Sequence, residues 1–350
     1  MIADETSHRP VLLTLGEPGG IGPEITAMAW SQRAERGLGA FAICADPGLL
    51  RARAERVGLS VPVETVTSAE EAASVFSRAL PVVDLDHAIA DRPGEALPET
   101  AGAVIAAIRR ATGLVRTGAF AAVVTNPIQK AALYAADFPF PGHTEFLAAL
   151  SDDKGLPPRP VMMLAGPQLR VVPVTIHVPL SEVPELLTES LIVETGLIVA
   201  RELMSRAGLY SPRLAVAGLN PHAGEAGTLG HEEERIIRPA VASLQAQGID
   251  AVGPLSADTM FHREALSRYD AALMMYHDQA LIPIKTLAFD EAVNVPLGLP
   301  FVRTSPDHGT ALDIAGTGAA RPDSLCAAIR LAHEMTAWEA EERAGEALAG

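Results

Sequence analysis

The sequence predicts an α/β protein of two domains, each built on a largely parallel sheet with helices on both faces. Short, continuous apolar runs alternate with stretches of helical period along the whole chain. The 350 residues also exceed one core of ordinary size. A strand that is apolar at every position must be buried on both faces, and crossover helices supply that cover.

The first element is the run from Val11 to Leu15, closed by Gly16 and followed by a helix in which Pro23 suits the first turn. Buried strands are then expected at Phe41 to Ala45, Ala121 to Thr125, Val161 to Leu164, Val171 to Ile176, Leu214 to Leu219 and Ala271 to Tyr276. Helical period is clearest over Ala101 to Arg116, Glu185 to Ala207, Glu232 to Gln247 and Asp323 to Ala344. In such folds ligands gather at the carboxyl ends of the strands. Linker-like composition is absent, so domain boundaries do not show in the residues.

Charge narrows the partners. Lys and Arg number 27 against 43 Asp and Glu, a net charge of -16 with no basic stripe. Nucleic acid and anionic membrane surfaces need clustered cations and are excluded as partners. A small anionic substrate would need its own basic pocket. Cys44 and Cys326 lie in apolar runs and are expected to be buried free thiols. With no apolar signal region and no membrane-spanning run, this suits a cytoplasmic protein.

The chemistry sits where the strands end. Thr175-Ile176-His177, Asn220-Pro221-His222 and Tyr276-His277-Asp278 place three histidines at equivalent strand ends. Three imidazoles are a known ligand set for a catalytic divalent ion, although a strand-end histidine can also simply hold a turn. The loop Gly16 to Glu24 could present amides to an anion or form a tight turn, and its glycines do not follow GxGxxG. Pro141-Gly142-His143-Thr144-Glu145 reads as a helix start, suited to an anionic ligand or to capping by Thr144. Lys285, Asn294 and Arg303 interrupt an apolar stretch, where cations need a partner such as an anionic substrate group.

The segments GEPGGIGPEI, TNPIQKAAL, PGHTEF, HVPL, LNPHAGE, GPLSADTMF, YHDQALIPIK and NVPLGLPFVRTSPDHGTALDIAGTG occur in this order. Together they resemble the 4-hydroxythreonine-4-phosphate dehydrogenase family. The resemblance implies two α/β/α domains with an isocitrate and isopropylmalate dehydrogenase-like architecture. Residues 1–135 with 305–350 would form the cofactor side and 136–304 the metal and dimerisation side. It further implies a homodimer whose active site lies in the interdomain cleft at the subunit interface.

For the site, the resemblance implies one divalent metal ion (zinc, cobalt, magnesium or similar) on His177, His222 and His277. It assigns substrate contacts to His143, Thr144, Lys285, Asn294 and Arg303, and makes Asp258 a further polar member of the pocket. The stretch from His308 through Gly309 and Asp313 to Gly316 is similar to the cofactor loop of those dehydrogenases, which implies NAD or NADP. Ala319-Ala320-Arg321-Pro322 lacks the asparagine that those relatives often carry near the adenine. The implied reaction oxidises the 3-hydroxyl of 4-phosphooxy-threonine, with Lys285 or Asp258 as base, and the product loses carbon dioxide. The alternatives are a dehydrogenase of a threonate or erythronate phosphate and a metal-dependent hydrolase or aldolase, the latter disfavoured by the HGTALDIAG loop.

Overall fold

The computed structural model describes residues 9–140, 142–152 and 159–349. Its strands are β1 (Val11–Thr14), β2 (Phe41–Ala45), β3 (Val63–Thr65), β4 (Leu80–Asp84), β5 (Val123–Thr125), β6 (Val161–Ala165), β7 (Arg170–Pro173), β8 (Arg213–Ala217), β9 (Asp250–Leu255), β10 (Ala271–Met274), β11 (Val293–Leu297) and β12 (Arg303–Pro306). The chain forms two compact units, Met1–Pro160 with Leu299–Gly350, and Val161–Gly298. This division groups His143, Thr144 and Arg303 with the first unit, across the boundaries expected at 135 and 305.

In the first unit the strands run β3-β4-β2-β1-β5-β12, and every neighbouring pair is parallel. Val11, Leu12, Leu13 and the whole of Phe41–Ala45 are fully buried, as strands covered on both faces must be. The helix Ala101–Arg116 packs on β1 and β2. It buries Val104, Ala107, Ile108, Ala111 and Val115, the spacing of one helical face. The helix Gly22–Ser31 is buried from Gly22 to Trp30, with proline in its first turn where no hydrogen bond is lost. Because β1, β5 and β12 are neighbours, the loops leaving their carboxyl ends meet. Glu17 N donates to Pro127 O at 2.8 Å and Ile21 N to Thr310 O at 3.0 Å.

The second unit runs β11-β6-β7-β10-β8-β9. β7, β10, β8 and β9 are parallel, whereas β11 and β6, and β6 and β7, are antiparallel. The sheet is therefore largely parallel, as expected, with antiparallel pairing confined to β11, β6 and β7. Only Gly166 to Leu169 separate β6 from β7, far too few for a crossover, and Gly166 N closes the turn on Leu169 O at 2.9 Å. Leu164, Val171, Ala215, Met274 and Ile284 belong to the core beneath.

Two expected helices are interrupted. Thr188 leaves helical geometry and its hydroxyl caps Leu191 N, so a short helix Val183–Leu186 is separated from Glu189–Ala207. Pro239 lacks the N–H that an α-helical register needs, and a π turn over Glu233–Ile237 precedes the helix Arg238–Ala246. Cys44 and Cys326 are buried and unpaired. Among the described residues no helix is long and apolar enough to cross a membrane.

Ile43 is fully buried on β2, which pairs with β1 and β4. Ile43→Ala should lower the free energy of unfolding by about 2–5 kcal/mol, as large-to-small core changes do, and urea titration measures it.

Candidate functional site

In the second unit the three strands that precede the predicted histidines are neighbours, in the order β7-β10-β8. His277 follows the central strand, with His177 beyond one flanking strand and His222 beyond the other. The strand ends are tied to one another. Thr175 Oγ1 donates to Met275 O at 2.7 Å. The Gln279 side chain accepts from Met275 N and donates to Gly218 O, linking the ends of β10 and β8. Glu233, 1% exposed, accepts from the backbone N–H groups of Leu219 and Asn220 at 2.8 and 2.7 Å and from the Asn220 side chain.

His177 and His222 both have positive φ, 40° and 50°. The turn after His222 continues left-handed through Ala223, Gly224, Glu225 and Ala226. Side chains with a Cβ enter that region at a cost of about 1–2 kcal/mol each, and such outliers cluster at functional sites.

The His177 and His277 rings lie 5.6 Å apart, centroid to centroid, on the wall of a cavity of about 220 Å³. Two imidazoles on one tetrahedral ion, with bonds of about 2.0–2.1 Å to nitrogen, put their centroids about 5 Å apart, so this pair fits a divalent metal. The Nδ1 atom of His277 bonds Asp278 Oδ1 at 2.7 Å, which leaves Nε2 to face a ligand. His222 is exposed on its turn. Among the described residues no group of three or more His, Cys, Asp or Glu encloses an ion, so the structure brings together two of the three expected ligands.

The remaining predicted residues of this unit are dispersed. Lys285 lies half-buried on the helix His277–Ala288, and Asn294 half-buried on β11. Asp258 is exposed in the turn after β9 and accepts a hydrogen bond from Ser256 Oγ at 2.6 Å.

In the first unit, Arg303 is 3% exposed, yet among the described residues it makes no ion pair. Its register opposite Val123 on β5 lets the guanidinium reach Thr125, whose hydroxyl accepts from Nε at 3.1 Å and from Nη2 at 2.5 Å. Burial pushes the Arg303 pKa down to about 10, against a weaker upward pull from Glu145, so it remains a cation at neutral pH. His143 opens the helix His143–Leu150, and its Nε2 is sealed from solvent without a partner. Burial, then the charges of Arg303 and Lys130, hold the His143 pKa well below the ordinary histidine value. Gly142, not Thr144, occupies the cap position, and no side chain caps the helix, which removes the capping role considered for Thr144. Thr144 is half-buried in the first turn, where helix amides favour an anion. A buried cation, a neutral imidazole and a helix start together make an anion pocket.

The loop Gly16 to Glu24 is a turn and not an anion cradle. The amides of Glu17, Gly19, Gly20 and Ile21 all bond within the protein. Glu17 is buried, which raises its carboxyl pKa against the Gly19 amide. The loop supports the neighbouring stretch 308–316 instead. In that stretch His308 Nε2 is buried without a partner, Asp313 is exposed, and a Cβ on Gly309 would meet nothing within 4 Å. An orphaned ring nitrogen beside an open loop face fits a cofactor.

Residue-type reasoning passed over Thr125, Glu233 and Arg53. Arg53 had a signal, since Leu49, Leu50, Arg53 and Ala54 share one helical face that is buried throughout.

The family profile described as "Pyridoxal phosphate biosynthetic protein PdxA" matches residues 38–332. A 4-hydroxythreonine-4-phosphate dehydrogenase of Xanthobacter autotrophicus is 56% identical over 338 residues, covering 96% of each chain. One from Methylorubrum populi is 58% identical over 333 residues, covering 94% of this chain and 95% of that protein. The crystal structure of the Klebsiella pneumoniae 4-hydroxythreonine-4-phosphate dehydrogenase superposes with a TM-score of 0.82 at 36% identity, covering 94% of this chain and 98% of that one.

Replacing Arg303 by Gln should weaken sulfate binding about 10- to 100-fold, the worth of a charged hydrogen bond. It should leave thermal stability unchanged or higher, because it removes an uncompensated buried charge. Sulfate keeps its charge across the pH range, so calorimetry reads the protein's own titration. With the His143 pKa lowered, affinity should stay flat between about pH 6 and 8 and fall only as pH rises toward the deprotonation of Arg303, about 10. A decline centred near pH 6.5 would instead mean that a protonated histidine holds the anion.

Proposed function

The chain belongs to the family of the pyridoxal phosphate biosynthetic protein PdxA, and from that premise we propose that it is a 4-hydroxythreonine-4-phosphate dehydrogenase. Arg303 carries the reading, because a buried guanidinium that makes no ion pair among the described residues is the partner a phosphate ester requires.

Arg303, with His143 and Thr144, grips the phosphate of 4-phosphooxy-threonine and so fixes the distance to the 3-hydroxyl. His143, neutral at working pH, donates one hydrogen bond without adding charge. Lys285 and Asn294 contact the rest of the substrate, and Lys285 or Asp258 accepts the hydroxyl proton, directly or through water. His177, His222 and His277 would hold the divalent ion, and the stretch containing His308, Gly309 and Asp313 would hold NAD or NADP. When bound, the ion supplies Lewis acidity at the substrate oxygens and the nicotinamide supplies the hydride acceptor. The β-keto acid formed then loses carbon dioxide to leave an aminoketone phosphate.

Two copies pair into a homodimer, a reading supported by Leu180, Ile282 and Phe289, which are 65%, 65% and 73% exposed in the second unit. The protein works in the cytoplasm, where its two thiols stay reduced.

A dehydrogenase of a phosphorylated sugar acid would use the same phosphate grip. Reduced-nicotinamide absorbance should rise with 4-phosphooxy-threonine and a divalent metal and fall to background after chelation. Turnover of threonate 4-phosphate alone would replace the substrate, and turnover that survives chelation would remove the metal. His222→Ala should lower bound metal, read by elemental analysis, with the circular dichroism spectrum intact. Unchanged metal content would exclude His222 as a ligand.

A further inference from the structure

Beside the stretch 308–316 the first unit buries a second arginine, Arg53, in surroundings opposite to those of Arg303. Arg53 is fully buried and its charge is met. Nε bonds Asp91 Oδ1 at 2.7 Å, Nη1 reaches Gly20 O at 2.7 Å, Nη2 reaches Pro18 O at 2.9 Å, and Glu24 Oε2 lies 3.7 Å from Nη1. The other Asp91 oxygen takes Arg56 Nε at 2.7 Å. Two cations and two carboxylates balance, so this cluster has no call for a ligand anion.

The segments that carry the partners of Arg53 also touch the 308–316 stretch. Glu24 Oε2 accepts the backbone N–H of Gly316. The Pro18 to Gly20 turn leads to Ile21 N, which donates to Thr310 O at 3.0 Å, and a Cβ on Gly20 would lie 2.8 Å from that same oxygen. The segment held through Asp91 carries Pro93, whose ring would sit 2.6 Å from a Cβ on Gly316. Gly94 N closes back on Gly19 O at 2.8 Å. Gly316 has φ of +72°, so neither its backbone nor its surroundings admit another residue.

We infer that Arg53, acting with Glu24 and Asp91, is a positioning residue that sets the 308–316 stretch for the nicotinamide cofactor. This rests on the proposal that the stretch binds that cofactor. A guanidinium suits the task because its planar fork addresses several acceptors at fixed angles, which a lysine ammonium at the same place does not.

The test uses Arg53→Lys, which keeps the charge, and Glu24→Gln, which keeps an acceptor for Gly316 N. NADH affinity is read by fluorescence titration, and sulfate affinity at Arg303 by calorimetry serves as an internal control in the same unit. Arg53→Lys should weaken NADH binding and raise the KM for NAD by about tenfold or more, the usual effect of removing a supporting contact. Sulfate affinity and kcat at saturating cofactor should each stay within about twofold of the parent. Should Arg53→Lys fail to fold, Glu24→Gln decides by the same measurements. Unchanged NADH affinity in the folded variants overturns the inference, and so does a parallel loss of NADH and sulfate affinity, which would mark a general structural role. Gly309→Val and Asp313→Ala test the underlying proposal separately. If neither alters NADH affinity, the cofactor lies elsewhere and the positioning role falls with it.

Discussion

A guanidinium sealed from water that makes no ion pair among the described residues is an unfinished interaction, and the first unit holds one at Arg303. The Thr125 hydroxyl accepts from Nε and Nη2 of Arg303 but carries no charge to offset it. Glu145 acts on Arg303 only at a distance and is itself exposed. Leaving a buried ion uncompensated costs several kcal/mol, which a protein stabilised only by packing would avoid. The parallel register of β12 against β5 nonetheless fixes the side chain there. An anion removes the cost, and binding then gains what folding left unsatisfied.

Arg53 shows that the same unit can satisfy an arginine fully when no ligand is intended. Two carboxylates and two backbone carbonyls surround it, and the outcome is a fixed set of loops. The contrast between the two arginines separates binding from positioning more sharply than burial alone. The second unit concentrates its unfavourable geometry in a comparable way. His177, His222 and the residues after His222 are held left-handed while Glu233 and Gln279 tie the strand ends from behind. Strain kept beyond the carboxyl ends of β7 and β8, on either side of β10, is consistent with groups presented to a ligand.

Much of this was legible in the sequence, because the strongest signals are local. Continuous apolar runs located β1, β2, β5, β6, β7, β8 and β10, and a histidine stands shortly after each of the last three. β3, β4, β9, β11 and β12 were not read. β4, β9, β11 and β12 contain proline, and β3 is a three-residue edge strand, so their pairing depends on neighbours distant in sequence. The antiparallel turn between β6 and β7 could have been read from its length. Thr125 and Glu233 could not, since a threonine at a strand end and a glutamate in a helix have ordinary explanations until the fold gives them partners. The resemblance supplied the roles of Lys285, Asn294 and Asp258, residues that the structure describes one by one and does not gather.

The most direct test is a crystal structure of the protein grown with zinc and 4-phosphooxy-threonine, with diffraction recorded at the zinc edge. The account predicts anomalous density bonded to His177 and His277, with His222 as the third ligand, and the phosphate hydrogen-bonded to Arg303. A phosphate bound away from Arg303, or zinc seated away from those histidines, would contradict it.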